Sequence, residues 1–115
     1  MERNLENIVR HAEVSEKAIE RYLAERVKEM GGVCLKYSNP GMTGYPDRAV
    51  LLPGGTTVWV ELKSRGRKPT SVQRERIKKL ADLGHSVAVV DSRKRVDEVL
   101  AFTEFVDEFE REALK

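Results

Sequence analysis

Between Gly44 and Lys63 two short apolar runs flank Pro53-Gly54-Gly55-Thr56, a pattern that leaves the chain little choice but a β-hairpin. Glycines in such a turn readily take positive φ and reverse the chain. The reversal returns Glu61 and Lys63 to the neighbourhood of Asp47. Side chains alternate between sheet faces along a strand. Over residues 57–63 this puts Thr57, Trp59, Glu61 and Lys63 on one face and Val58, Val60 and Leu62 on the other. A strict two-residue loop at Gly54-Gly55 sets Arg48 opposite Glu61. A bulge in the turn, or a bend at Asp47 of the kind Pro46 favours, brings Asp47 there instead. Two acids and an ammonium converging at one sheet edge can hold a divalent metal beside a water nucleophile.

The rest of the chain reads as elements that support this hairpin. Residues 1–14 are polar, a short helix or flexible arm. Ser15 is placed as an N-cap, and Ile19, Tyr22, Leu23, Val27 and Met30 recur at helical spacing until Gly31-Gly32 stops the helix. Glu16 and Glu20 lie beside that stripe, one turn apart. Residues 33–38 alternate as a strand, and 39–45 form a loop, rich in Asn, Pro and Gly, that walls the site. Strands follow at 48–52 and 57–63, then a basic, mobile connector at 64–69. Thr70-x-x-Gln73 matches a capping box, with Val72, Ile77, Leu80 and Ala81 as the buried stripe and Gly84 closing the helix. Residues 86–91 are apolar enough for a central strand buried on both faces. Ser92 then caps a last helix, with Val96, Val99, Leu100, Thr103, Val106 and Phe109 inward and a break near Thr103. The order α-β-β-β-α-β-α, with the fourth strand added in parallel after a crossover helix, gives a mixed sheet flanked by helices.

A chain of 115 residues fits one domain. Net charge is only +2, but its distribution is uneven. From Lys63 to Lys79 eight basic residues stand against Glu75 alone, whereas from Ser92 onward five basic residues face seven acidic ones. A basic segment directly after a candidate metal site suggests a polyanionic substrate; a solvated helix face is the plainer reading. The single Cys34 makes no internal disulfide or zinc site, and no signal peptide or membrane span is visible, which fits the cytoplasm. His11 and His85 lack a catalytic context, and the glycine pairs do not form a phosphate-cradling loop.

Pro46-Asp47, thirteen residues, then Glu61-Leu62-Lys63 resembles the active-site signature of PD-(D/E)xK nucleases. With Gly44-x-Pro46-Asp47 and Thr70-x-x-Gln73, residues 15–92 resemble the VRR-NUC family, notably its small stand-alone phage-type members. The resemblance implies a restriction-endonuclease-like αβββαβ core, here with an extra C-terminal helix, and a chain encoded by a phage or prophage. It also implies a Mg²⁺-dependent DNA endonuclease, with Mn²⁺ substituting, that acts on branched DNA such as four-way junctions as a homodimer without a small-molecule cofactor. Asp47, Glu61 and the Leu62 backbone carbonyl would be metal ligands, and Lys63 would orient water or stabilise the phosphate. In the family a first-helix glutamate completes the acidic cluster, and Glu20 matches better than Glu16; Gln73 faces the site. Lys36 aligns with a lysine near the scissile phosphate, and Arg65, Arg67, Lys68 and Arg74 are the expected DNA contacts. Two other readings remain at this level: a catalytically silent nucleic-acid-binding module, and a nuclease subunit that needs a helicase or other partner.

Overall fold

A computed structural model of the chain describes residues 15–113, of which 104–111 are described as backbone only. The expected arm at 1–14, and Val106 and Phe109 as inward side chains, lie outside the described residues. The elements are α1 (Glu16–Glu29), β1 (Val33–Lys36), β2 (Arg48–Leu51), β3 (Thr57–Leu62), α2 (Ser71–Asp82), β4 (Ser86–Val90) and α3 (Arg93–Ala113). The strands form one sheet in the order β1-β2-β3-β4, antiparallel across the first three and parallel between β3 and β4. This is the mixed α/β architecture expected from the element order.

Strand alternation divides the sheet into two faces. Val50, Val58, Val60, Leu62, Ala88 and Val90 point to one of them, where Ile19, Leu23 and Val27 of α1 and Val96, Val99 and Leu100 of α3 complete the core. Burying side chains of this size stabilises by about 1.5–3 kcal/mol each. Ser15 caps α1 by accepting from the Ala18 N–H at 3.2 Å, and Gly31, at φ 82°, follows the helix end. The two helices are tied by Asp97, which accepts from the Tyr22 hydroxyl at 2.8 and 3.0 Å and from Arg26 Nε at 3.2 Å.

Three expectations change. β4 is an edge strand of the described sheet, not a central one: Ala88 and Val90 are buried, whereas Val87 and Val89 are only half covered. The stripe of α2 is narrower than expected. Leu80 is buried, Ile77 half-buried, and Val72 and Ala81 exposed, because α2 lies over only part of the second face. The last helix runs unbroken through Thr103, whose buried hydroxyl donates to the Leu100 carbonyl at 2.7 Å and so needs no interruption of the helix.

The hairpin turn settles the register. Leu52 N–H donates to Thr56 O at 2.8 Å and Gly55 N–H to Leu52 O at 3.3 Å, with Gly54 at φ 90° and Gly55 at φ 88°. Pro53 and Gly54 thus occupy the centre of a β-turn, and Gly55 adds a third residue to the loop. That extra residue pairs Arg48 with Val60, so the next position back, Asp47, comes opposite Glu61.

Candidate active site

Glu61 sits near the C-terminal end of β3 on the face turned toward α2, with only 3% of its surface exposed. Asp47 occupies a bend after the fully buried Pro46, and its Oδ1 accepts from the Leu62 N–H at 3.2 Å. The two acids are therefore fixed by opposite strands of one hairpin. Burial first, and the Asp47 charge second, push the Glu61 carboxyl up to about 7. Burial also raises Asp47 above its ordinary value, against the pull of the Leu62 N–H. Lys63 Nζ lies 3.8 Å from Glu61 Oε1 and is largely covered.

Gln73 serves two partners at once. Its Oε1 accepts from the Thr70 N–H at 2.9 Å, its own N–H donates to Thr70 Oγ1 at 3.2 Å, and its Nε2 donates to Glu61 Oε1 at 3.1 Å. The capping box thus fixes which end of the amide faces the acid. With Oε1 held by Gln73, Glu61 Oε2 remains buried with no hydrogen-bond partner. A carboxylate oxygen left in that state costs free energy unless a proton or a cation meets it. Two carboxylates and an unclaimed oxygen suit a hard divalent cation of the Mg²⁺ type.

Glu20 reaches the site region from α1 but engages Arg48, on the face opposite Glu61. Among the described residues no three of His, Cys, Asp and Glu come together as a metal-binding group; the acid whose charge acts most on Glu61 is Asp47. Glu16 is near enough for its charge to raise Glu61 further, after burial and Asp47. Lys36 is exposed at the end of β1, paired across the strands with Arg48. Arg65, Arg67, Lys68 and Arg74 are all exposed, on the connector after β3 and the first turn of α2. The connector contains a defined turn: Arg67 N–H donates to Ser64 O at 3.0 Å, Gly66 is at φ 80°, and its N–H donates to Asp91 at 3.3 Å.

Residues 39–45 flank the acids as expected and dock on α2. A Cβ added at Gly44 would lie 2.6 Å from Val72 Cγ1, and Gly44 has φ 96°. Gly44→Ala therefore meets both a strained backbone and a clash. It is expected to destabilise the protein by about 1–3 kcal/mol in urea denaturation, with the loop as the first segment to lose protection from hydrogen exchange. Two features escaped the sequence reading. Arg48 as the partner of Glu20 is one; its only signal was strand parity, which turns it away from Asp47. The other is a row of rings, Trp59–Tyr37–Tyr45, ending at Arg76. A cavity of about 570 Å³ lies at the other end of β3 and β4, lined by Val58, Ser86, Val99 and Phe102 among others.

No protein-family model matches this chain. Over 80 residues it is 42% identical to a protein described as "Putative nuclease p44" of Acyrthosiphon pisum secondary endosymbiont phage 1, an alignment spanning 70% of this chain and 86% of that protein. A solved structure described as a VRR-NUC domain superposes with a TM-score of 0.72 at 34% identity, covering 75% of this chain and 94% of the other. A hairpin bearing Pro46-Asp47 and Glu61-Leu62-Lys63, in a fold that matches at this level of identity, leaves one assignment: the chain belongs to the VRR-NUC family.

Proposed function

We propose that this protein is a nuclease that hydrolyses DNA phosphodiester bonds internally, using a divalent cation held by Asp47 and Glu61, and that branched DNA is its preferred substrate. The observation that carries this reading is the buried, unpartnered Oε2 of Glu61 beside a second acid. The description of the phage relative as a nuclease supports the reaction class.

In this reading Asp47, Glu61 and the Leu62 carbonyl would hold Mg²⁺, for which Mn²⁺ would substitute, with Glu20 a further donor if its bond to Arg48 gives way. When bound, the ion supplies positive charge against the phosphoryl oxygens and lowers the pKa of a coordinated water. Gln73 holds one oxygen of Glu61 and so leaves Oε2 as its free donor. Lys63, on the same edge, orients the attacking water or stabilises the charge that grows on the phosphate. Arg48 keeps Glu20 close to Asp47 while shielding its charge.

The exposed cations of the connector would follow the DNA backbone. Each phosphate neutralised contributes a slope of about −0.9 to the dependence of log affinity on log salt. Neutralising Arg65, Arg67 and Lys68 together is expected to flatten that slope by up to about three, measured by anisotropy across a salt series. An unchanged slope would exclude the connector as the footprint.

Cutting a four-way junction symmetrically needs two sites, and the described residues carry one acid pair, so we read the active species as a homodimer. Rates on linear duplex, flap and four-way-junction DNA test the selectivity. Faster cutting of the branched forms is expected; equal rates on all three would remove it. Membrane attachment is no part of this reading, and no described helix is long and apolar enough to cross a membrane. The phage relative supports a phage or prophage origin; in this reading the protein acts in the host cytoplasm.

A further inference from the structure

We propose that the cavity at the end of β1, next to the backbone of Asp47, is a pocket for one unpaired nucleobase, an inference that rests on the nuclease reading and specifies its substrate. The cavity encloses about 230 Å³ between the end of β1 and residues 39–45, and its walls include Tyr37 and Tyr45. Its walls adjoin the strand end that carries Asp47: the Tyr37 N–H donates to the Asp47 carbonyl at 2.8 Å, and Tyr45 precedes Asp47 by two residues.

The walls are braced before any ligand arrives. Tyr37 meets Trp59 edge-to-face at 5.2 Å and Tyr45 at 6.5 Å. The Arg76 guanidinium lies 5.4 Å from the centre of the Tyr45 ring, while its Nε donates to the Thr43 carbonyl at 3.0 Å. Asn39 holds the loop from within, donating to the Tyr37 hydroxyl at 3.2 Å and accepting from the Met42 N–H at 3.1 Å. Fixed walls reduce the ordering cost of binding.

The size and chemistry select the ligand. The volume is below the range of pockets for drug-sized molecules, yet ample for a single planar ring system. Aromatic walls favour a flat π-system, and the Arg76 guanidinium beside Tyr45 and Thr43 adds positive charge at this wall. A nucleobase attached to a phosphate chain meets both conditions. Bases inside a duplex have their faces covered, so only an unpaired one can enter. Selectivity for branched DNA would then arise from a single nucleotide that escapes pairing next to the cut.

The test is equilibrium binding in EDTA, where no cleavage occurs. Three DNAs are compared: an uninterrupted duplex, the same duplex with a one-nucleotide 2-aminopurine bulge, and that bulge made abasic. The base-containing bulge is expected to bind about tenfold or more tightly than the abasic one, with 2-aminopurine fluorescence quenched on binding. Tyr45→Phe should keep the advantage and Tyr45→Ala should lose it. Equal affinity for the base-containing and abasic bulges would overturn the pocket without requiring any variant to fold. Retention of the advantage in a folded Tyr45→Ala would also overturn it. Metal-dependent cutting of the same duplex by the wild type separates the two claims. If cutting is present, those results remove only the pocket; if neither cutting nor binding occurs, both readings fall.

Discussion

Replacing Asp47 or Glu61 with alanine is expected to lower metal-dependent DNA cleavage by about 10³-fold or more. Each supplies one of the two carboxylates that the hairpin brings together. A cation clamp on a phosphoryl group contributes several kcal/mol to the transition state, and each 1.36 kcal/mol is about tenfold in rate. Glu61 leaves no substitute behind, since its neighbours Gln73 and Lys63 are a hydrogen-bond donor and a cation. Asp47 also anchors the edge of β3 through the Leu62 N–H, so Asp47→Asn is the variant that keeps that acceptor while removing the charge. Rates are to be measured as single-turnover cleavage at saturating protein, with calorimetric titration of Mn²⁺ alongside. Cleavage that survives either substitution at more than about a tenth of the wild-type rate would move the chemistry elsewhere.

Removing the charge at Glu61 is expected to make the metal-free protein more stable at neutral and alkaline pH, the opposite of what losing a structural ion pair does. The folded carboxyl keeps its proton up to about pH 7, whereas an unperturbed one releases it near 4.5. Between those values the folded state binds the extra proton, so stability falls as pH rises through that window and levels off above it. At 1.36 kcal/mol per pH unit the total is about 3 kcal/mol, the cost of holding a buried charge that Lys63 and Gln73 only partly offset. Glu61→Gln has no such titration. In urea denaturation without metal it should match the wild type near pH 4.5 and exceed it by about 2–3 kcal/mol at pH 8. Added Mg²⁺ should stabilise the wild type and leave Glu61→Gln unchanged, through mass action on the folded state alone. A wild type as stable as Glu61→Gln at pH 8 would mean that the carboxylate is solvated.

Much of this site could be read before any coordinates, because its parts are local. The alternation of residues 57–63, the glycine-rich turn and the capping box each rest on a few neighbouring residues. Gln73 illustrates this well: capping the helix and facing Glu61 use opposite ends of one amide. The register was harder, since Pro53-Gly54-Gly55-Thr56 can close loops of two or three residues. The Leu52 N–H to Thr56 O bond, which closes a three-residue loop, decides that Asp47, and not Arg48, stands opposite Glu61. The partner of Glu20 lay beyond reach for a different reason. Arg48 is 28 residues away and meets it only because α1 packs against the sheet. The same holds for Tyr37 and Tyr45, brought together by a loop that docks on α2. For β4, an apolar run cannot tell a strand covered on both faces from an edge strand half covered by one helix.

Everything proposed for this protein depends on a cation held by Asp47 and Glu61 cutting DNA. The direct measurement is cleavage of a four-way-junction DNA by the wild type and by Glu61→Gln, each in Mg²⁺ and in EDTA. Because Glu61→Gln is expected to be the more stable protein at pH 8, lost activity there cannot be blamed on unfolding. Cutting is expected from the wild type in Mg²⁺ and in none of the other three conditions. Cutting by Glu61→Gln at the wild-type rate, or cutting in EDTA, would contradict it.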